Sequence, residues 1–396
     1  MTCEKLKNRE RFREYARGLT KEMLIDARDN AIGIVRNSAP KFIDLFPDDA
    51  SVNGYYPAVD NNDGLSRWTT SFWTGMLWLS YEMSGDEYFK KIAEGHIDSF
   101  YQKIEKKIGV NHHDMGFLYV PTCVAAYKLT GNEKAKKAAI MAADHLITRY
   151  RDKGEFIQAW GDVGEAKECR LIIDCMINIP LLYWASEVTG DKKYHDIAYK
   201  HFKTTVKHIY REDGSTHHTY FFDSETGEAL RGVTHQGWSD DSCWARGQSW
   251  GLYGIPLTHK YEDATFAFDT YDAAVHFWAN RLPKDFIPFW DLVFTDGDDM
   301  PRDSSAAAIA ICGLLEMVKC TENNERKSLY KDIADSMMRA LIEKYAYKPT
   351  DKTNGLLAHA VYYYKGNMGV DECNIWGDYY YMEALARYLT NWEMYW

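Results

Sequence analysis

Apolar residues along this chain fall into two kinds of stretch. In one, nearly every position is apolar or small, as in Ala306 to Leu315; in the other, apolar residues recur between Lys and Glu, as in Ala135 to Tyr150. A helix that is apolar all round is buried, and an amphipathic one lies outside it. The two kinds alternate. Trp73 to Met83 runs through Ser84-Gly85-Asp86 into Tyr88 to Phe100, and Phe117 to Leu129 through Thr130-Gly131-Asn132 into Ala135 to Tyr150. Cys175 to Val188 runs through Thr189-Gly190-Asp191 into Tyr194 to Ile209; Trp250 to Tyr261 precedes Phe266 to Leu282, and Ala306 to Val318 precedes Tyr330 to Tyr345. Gly or Asn stops one helix and Asp or Glu opens the next, the expected asymmetry of caps.

Asn374 to Tyr388 supplies one more inner helix, and Leu24 to Val35 supplies an outer partner from the other end of the chain. That makes about twelve helices in six pairs sharing one core. The pattern predicts an all-α fold, an (α/α)6 barrel with an inner ring wrapped by an outer one. A solenoid is the alternative, but neither terminus shows a polar capping repeat. The whole chain, 1–396, reads as one domain, with 1–20 a loosely attached N-terminal segment. Between the pairs lie Pro47 to Leu65, Glu155 to Arg170, Arg211 to Ser242 and Phe286 to Pro301, rich in Trp, His, Gly and Asp. Loops of that length are usually functional. They precede inner helices, so they should gather at one end of the barrel, and the site should lie there.

Helix starts at that end carry Trp68, Phe72 and Trp73, then His112, His113 and Asp114, then Asp174, then Trp244, Arg246, Gln248 and Trp250, then Arg302 and Asp303, then Asn374 and Trp376. Rings interspersed with carboxylates, amides and arginine suit a sugar, whose flat faces stack and whose hydroxyls need polar partners. Asp114 and Asp174 stand where helix N-caps are expected, and capping accounts for either alone. As a pair they suggest more. Asp174 sits between Ile172-Ile173 and Cys175-Met176, surroundings that would raise its pKa, and a second carboxylate nearby would raise it further. A carboxyl protonated near neutrality is a general acid. His112-His113 has no third ligand at a recognisable spacing, so no metal is expected there. Arg246 lies one turn before Trp250; the two could hold a carboxylate and stack its ring, or the arginine could serve local carbonyls.

Charge narrows the partners. With 47 basic and 58 acidic residues the net charge is −11, which argues against nucleic acid or an anionic membrane as a partner. The 13 Trp and 28 Tyr are unusually many and fit a carbohydrate cleft. Eight cysteines are scattered without a C-x-x-C pair, and Met1 to Met23 is too polar for a secretory leader, so a reduced, cytoplasmic protein is expected. No phosphate loop and no G-x-S-x-G is present.

Six segments in order, Trp68-Thr-Thr-Ser-Phe-Trp-Thr-Gly75, His112-His-Asp-Met-Gly-Phe117, Ile172-Ile-Asp-Cys-Met-Ile-Asn178, His235-Gln-Gly237, Trp244-Ala-Arg-Gly-Gln-Ser-Trp-Gly251 and Asn374-Ile-Trp-Gly-Asp378, resemble the unsaturated glucuronyl hydrolases of glycoside hydrolase family 88. The resemblance implies a six-hairpin barrel with no metal or organic cofactor. It implies a substrate left by polysaccharide lyases, a di- or oligosaccharide whose non-reducing uronate carries a C4=C5 double bond, and hydration of that vinyl ether. Asp174 would be the general acid, and Asp114 the second acidic residue that holds sugar hydroxyls and keeps Asp174 protonated. Trp73, Trp160 and Trp250 match stacking positions; His113, His218, Gln236 and Arg246 match polar contacts. Members that prefer sulfated fragments carry Ser and Lys just before the Asn-Ile-Trp-Gly segment. Here Val361-Tyr-Tyr-Tyr-Lys-Gly-Asn-Met-Gly369 lacks serine, so unsulfated substrates are expected to be preferred. Other readings are an unsaturated rhamnogalacturonyl hydrolase acting on pectin fragments, a sugar 2-epimerase, which would need paired histidines, and a sugar-binding toroid without catalysis.

Overall fold

A computed structural model of the chain describes residues 2–396. Its helices are α1 (Arg9–Ala16), α2 (Lys21–Ser38), α3 (Thr70–Ser84), α4 (Glu87–Glu105), α5 (Met115–Tyr119), α6 (Ala125–Thr130), α7 (Glu133–Ile147) and α8 (Cys175–Asn178). They continue as α9 (Pro180–Thr189), α10 (Lys192–Ile209), α11 (Ala245–His259), α12 (Phe268–Arg281), α13 (Ser304–Cys320), α14 (Asn324–Ala340) and α15 (Ile375–Leu389). Six inner columns close a ring: α3, α5 with α6, α8 with α9, α11, α13 and α15 each pack on the next, and α15 returns to α3. Outside them lie α4, α7, α10, α12, α14 and α2, each against its inner partner. This is the expected (α/α)6 barrel.

Burial follows the sequence pattern. On α11 every residue from Ala245 to Thr258 is buried, and on α13 every residue from Ser304 to Met317. The outer α10 buries only one stripe, including Tyr194, Ala198, Phe202, Thr205 and Ile209. Each large apolar side chain so buried contributes about 2 kcal/mol, which outweighs weak helix propensity in columns as rich in β-branched and aromatic residues as α3. Gly85, Gly131 and Gly190 end inner helices at φ of 72°, 70° and 75°, and Asp86, Asn132 and Asp191 accept main-chain N–H groups at the next helix starts. A side chain would be strained at those positive φ angles.

Two inner columns are interrupted. A π-type turn over Val120–Val124, containing Pro121, joins α5 to α6, and Pro180 separates α8 from α9. The apolar run continues through both prolines, so hydrophobic pattern alone does not mark the breaks. The N-terminal segment corrects another expectation: it is seated, not loosely attached. Phe12 and Ala16 of α1 are buried against α14, and Glu4 pairs with Arg281 at 2.9 Å. Two apolar anchors amid basic and acidic residues gave little periodic signal.

The long connections form a platform over one end of the ring. Strand Arg170–Ile172 pairs antiparallel with Thr219–Phe222, which pairs with Ala229–Val233; a second hairpin joins Ala360–Tyr363 to Met368–Glu372. Among the described residues no helix is long and apolar enough to cross a membrane. All eight cysteines are free.

Candidate active site

A cavity of about 580 Å³ opens where the inner helices begin, and Asp114 and Asp174 both line it. Each stands at the first turn of its helix, yet neither side chain caps that helix, whereas Asp303 at the start of α13 accepts from Ser305 N and Ala306 N. The two carboxyls are therefore free for other work. One side chain organises both. Asn178 Nδ2 lies 3.2 Å from Asp114 Oδ1 and 3.1 Å from the main-chain oxygen of Asp174, while its Oδ1 accepts Phe117 N at 2.9 Å. This crossing of α5 and α8 needs Gly116, because a Cβ there would stand 2.3 Å from Asn178 Cα.

The environments of the two carboxyls push their protons in opposite directions. Burial first, then the nearby Asp114 charge, raises Asp174 from 3.8 to about 7 against the opposing pull of Arg246. Its Oδ2 is buried without a hydrogen-bond partner. Burial also works against charge on Asp114, but His113, His112 and Asn178 outweigh it and hold Asp114 below the usual carboxylate range. His113 Nε2 lies 3.2 Å from Asp114 Oδ1, and burial lowers that imidazole to about 4. His112 Nδ1 is 3.1 Å from Asp114 Oδ2. A pair with one neutral and one ionised member is an acid beside an electrostatic support.

Of the remaining candidates, His113, Trp160 and Gln236 line the cavity. The Trp160 ring is backed by the Arg170 guanidinium at 4.7 Å, and Gln236 Nε2 donates to Tyr362 O at 2.9 Å. His218 stands one layer behind: its Nδ1 accepts His235 N at 3.0 Å and Gln236 N at 3.1 Å, so it sets the loop that carries Gln236.

Three sequence expectations need correction. Arg246 is 1% exposed and its guanidinium is occupied by Asp303 at 3.2 Å, by Tyr362 O at 2.8 Å and by Val361 O. It anchors the 360–372 hairpin and reaches Asp174 only through its charge, because a buried guanidinium takes the nearest carbonyls. Trp73 points out of the ring, with Nε1 donating to Phe42 O at 3.3 Å; adjacent positions on a helix are turned by about 100°, so Phe72 faces inward instead and meets Phe117. Trp250 is fully buried below the cavity floor, 5.1 Å from Phe117 and 5.5 Å from Tyr380. Neither tryptophan presents a face to a ligand.

Trp68, one of the aromatic helix starts expected at the site, and His235, beside Gln236, line the cavity together with Tyr362 and Tyr363, to which the sequence assigned no contact. Trp68 stacks on Trp376 at 5.4 Å and donates to Tyr362 Oη at 3.1 Å, while His235 stacks on Tyr363 at 5.3 Å. Their signal was present in the aromatic helix starts and the Tyr-rich run. What was missing was the long-range pairing of those segments.

The sequence profile of Glycosyl Hydrolase Family 88 matches residues 39–392. The unsaturated chondroitin disaccharide hydrolase of Streptococcus pneumoniae is 48% identical over 397 residues, covering 100% of this chain and 99% of that protein. The unsaturated glucuronyl hydrolase of Bacillus sp. strain GL1 is 38% identical, over 93% of this chain and 97% of that protein. The crystal structure of unsaturated glucuronyl hydrolase from Streptococcus agalactiae superposes with a TM-score of 0.96 at 45% identity, covering 100% and 99% of the two chains. A mutant of that enzyme complexed with dGlcA-GalNAc6S superposes with a TM-score of 0.89 at 42% identity, covering 100% and 99%.

Proposed function

The chain belongs to Glycosyl Hydrolase Family 88, and from that premise we propose that it releases the non-reducing Δ4,5-unsaturated uronate from glycosaminoglycan-type di- and oligosaccharides by hydrating the C4=C5 vinyl ether. The observation that carries this reading is the divergence of the two cavity carboxyls, with Asp174 raised to about 7 beside an ionised Asp114. Asp174 delivers its proton to C4, leaving a cation shared by C5 and the ring oxygen. The Asp174 carboxylate then takes a proton from water as that water bonds to C5. The hemiketal at C5 opens by cleaving the bond from C5 to the ring oxygen, and the freed hemiacetal at C1 expels the aglycone sugar. Asp114 stabilises the cationic stage and hydrogen-bonds sugar hydroxyls, and its charge favours retention of the proton that Asp174 has taken from water, so the acid is ready for the next turnover. Trp160 offers a flat face for the sugar, with Gln236 and His113 beside it.

The 360–372 hairpin sets preference for the aglycone. Tyr362, Tyr363 and Met368 line the cavity from it, and no serine stands between them. The hairpin residues that line the cavity are apolar or phenolic and stabilise a sulfate poorly, which supports preference for the unsulfated disaccharide; Lys365 in the same turn, close enough to act on His235, is the hairpin's one cation. The free cysteines support a reducing, cytoplasmic setting fed by imported disaccharides.

The test is ultraviolet absorbance of the conjugated enol ether in an unsulfated unsaturated chondroitin disaccharide, followed with wild type and Asp174→Asn. Loss of the band with wild type alone is expected; no loss with either removes the proposal. A higher kcat/KM for the 6-sulfated disaccharide would overturn the preference while leaving the reaction standing.

A further inference from the structure

We propose a metal site on the outer ring, distinct from the catalytic cavity, in which Cys3, Asp272 and His276 bind one divalent ion of the zinc class and clasp the N-terminal segment to α12. Their ligand atoms, a thiol sulfur, a carboxylate oxygen and an imidazole nitrogen, all lie within 4.8 Å of one another. Asp272 and His276 stand one helical turn apart on α12, so they share a face. Cys3 is brought over that face by a segment tied on both sides. Thr2 N donates to Glu212 O at 2.6 Å, the Glu4 carboxylate meets Arg281 and Asn280, and Lys7 N donates to Asn280 Oδ1 at 2.8 Å.

Groups behind the ligands are arranged as metal sites require. His276 Nδ1 lies 2.7 Å from Glu4 O, a contact that fixes the proton on Nδ1 and leaves the Nε2 lone pair free. Asp272 Oδ1 accepts Tyr330 Oη at 2.9 Å, and Oδ2 faces Arg326 at 3.2 Å; each oxygen retains a further lone pair. Such outer partners fix the tautomer and hold ligating carboxylates in place. A thiolate, an imidazole and a carboxylate form a borderline-soft donor set suited to tetrahedral zinc, with water as fourth ligand. Binding exchanges the Cys3 proton for the metal, forming one sulfur–metal bond and releasing one proton to solvent.

The test uses the untagged, reduced, chelator-treated full chain titrated with Co2+ and then with Zn2+. The expected result is one Co2+ per chain with a thiolate-to-cobalt charge-transfer band, displaced by Zn2+, and a rise in Tm with Zn2+. Cys3 is the one exposed cysteine, so Cys3→Ser should abolish the band. Because losing even an outer partner costs about 10–100-fold in affinity, His276→Gln should weaken binding by about 100-fold. No metal uptake by wild type, uptake without the band, or unchanged affinity in Cys3→Ser would each overturn the site. Both substitutions lie outside the cavity, so disaccharide turnover by the metal-free variants should match that of metal-free wild type.

Discussion

Replacing Asp114 by Asn removes one charge and nearly no volume, and its effect should appear on Asp174. Raising that carboxyl from 3.8 to about 7 amounts to about 4 kcal/mol of bias against its ionised form. Burial supplies the largest share and Asp114 the second, so losing the Asp114 charge should return a minority of it, about 1.4 kcal/mol or one pH unit. If protonated Asp174 is the acid, kcat/KM falls as pH rises through its pKa. In Asp114→Asn the midpoint of that fall should therefore move down by about one pH unit, leaving about tenfold less protonated acid on the alkaline side. The assay is the enol-ether absorbance decay across pH at substrate well below KM. Loss of hydroxyl contacts to Asp114 lowers the height of the profile without moving its midpoint, so the two roles separate. A midpoint that stays fixed or moves upward would refute the coupling.

Stability should record the same carboxyl. Its folded pKa is raised above the unfolded value, so it disfavours the folded state as pH rises from 3.8 through about 7. Asp174→Asn should therefore raise Tm above neutrality, by at most about 4 kcal/mol in stability, with the gain vanishing near pH 4 in calorimetric scans. Trp160→Ala should raise KM with little change in Tm, whereas Trp73→Ala should cost about 3–5 kcal/mol of stability and leave KM unchanged in whatever fraction stays folded. Gly116→Ala forces α5 and α8 apart at Asn178 and should cost about 3 kcal/mol, with a fall in kcat that denaturant curves and steady-state rates register together.

Much of this was readable in the chain because barrel helices are cut by strong signals. Gly85, Gly131 and Gly190, each followed by an Asp or Asn cap, mark three inner–outer turns, and the all-apolar run from Ala306 marks an inner helix outright. The same property hides which way a residue faces. On a helix buried all round, the hydrophobic pattern does not separate Trp73, which faces outward to Phe42, from Phe72, which faces the axis. Asp174 was legible because a carboxyl in an apolar run is costly without a purpose, and Asp114, which follows two histidines, only as its partner carboxylate. Arg246 was ambiguous for the opposite reason: its cost is offset by carbonyls of Val361 and Tyr362, more than a hundred residues away in sequence. Asn178 needed the structure, since its value lies in the crossing of two columns that Gly116 permits.

The sixth wedge of the ring is assembled from both ends of the chain, α2 lying against α15. As synthesis proceeds, five wedges can pair with near neighbours in sequence, but the first long helix must wait for its partner until almost everything else has been made. Until then α3 shows an apolar flank to the cell, and Trp68 lacks Trp376, on which it stacks. Contacts between such distant segments form late and slowly. A nascent chain of this kind thus completes the Trp68 side of its cavity wall only in the closing event, and truncated products would carry the two carboxyls without an enclosed space around them.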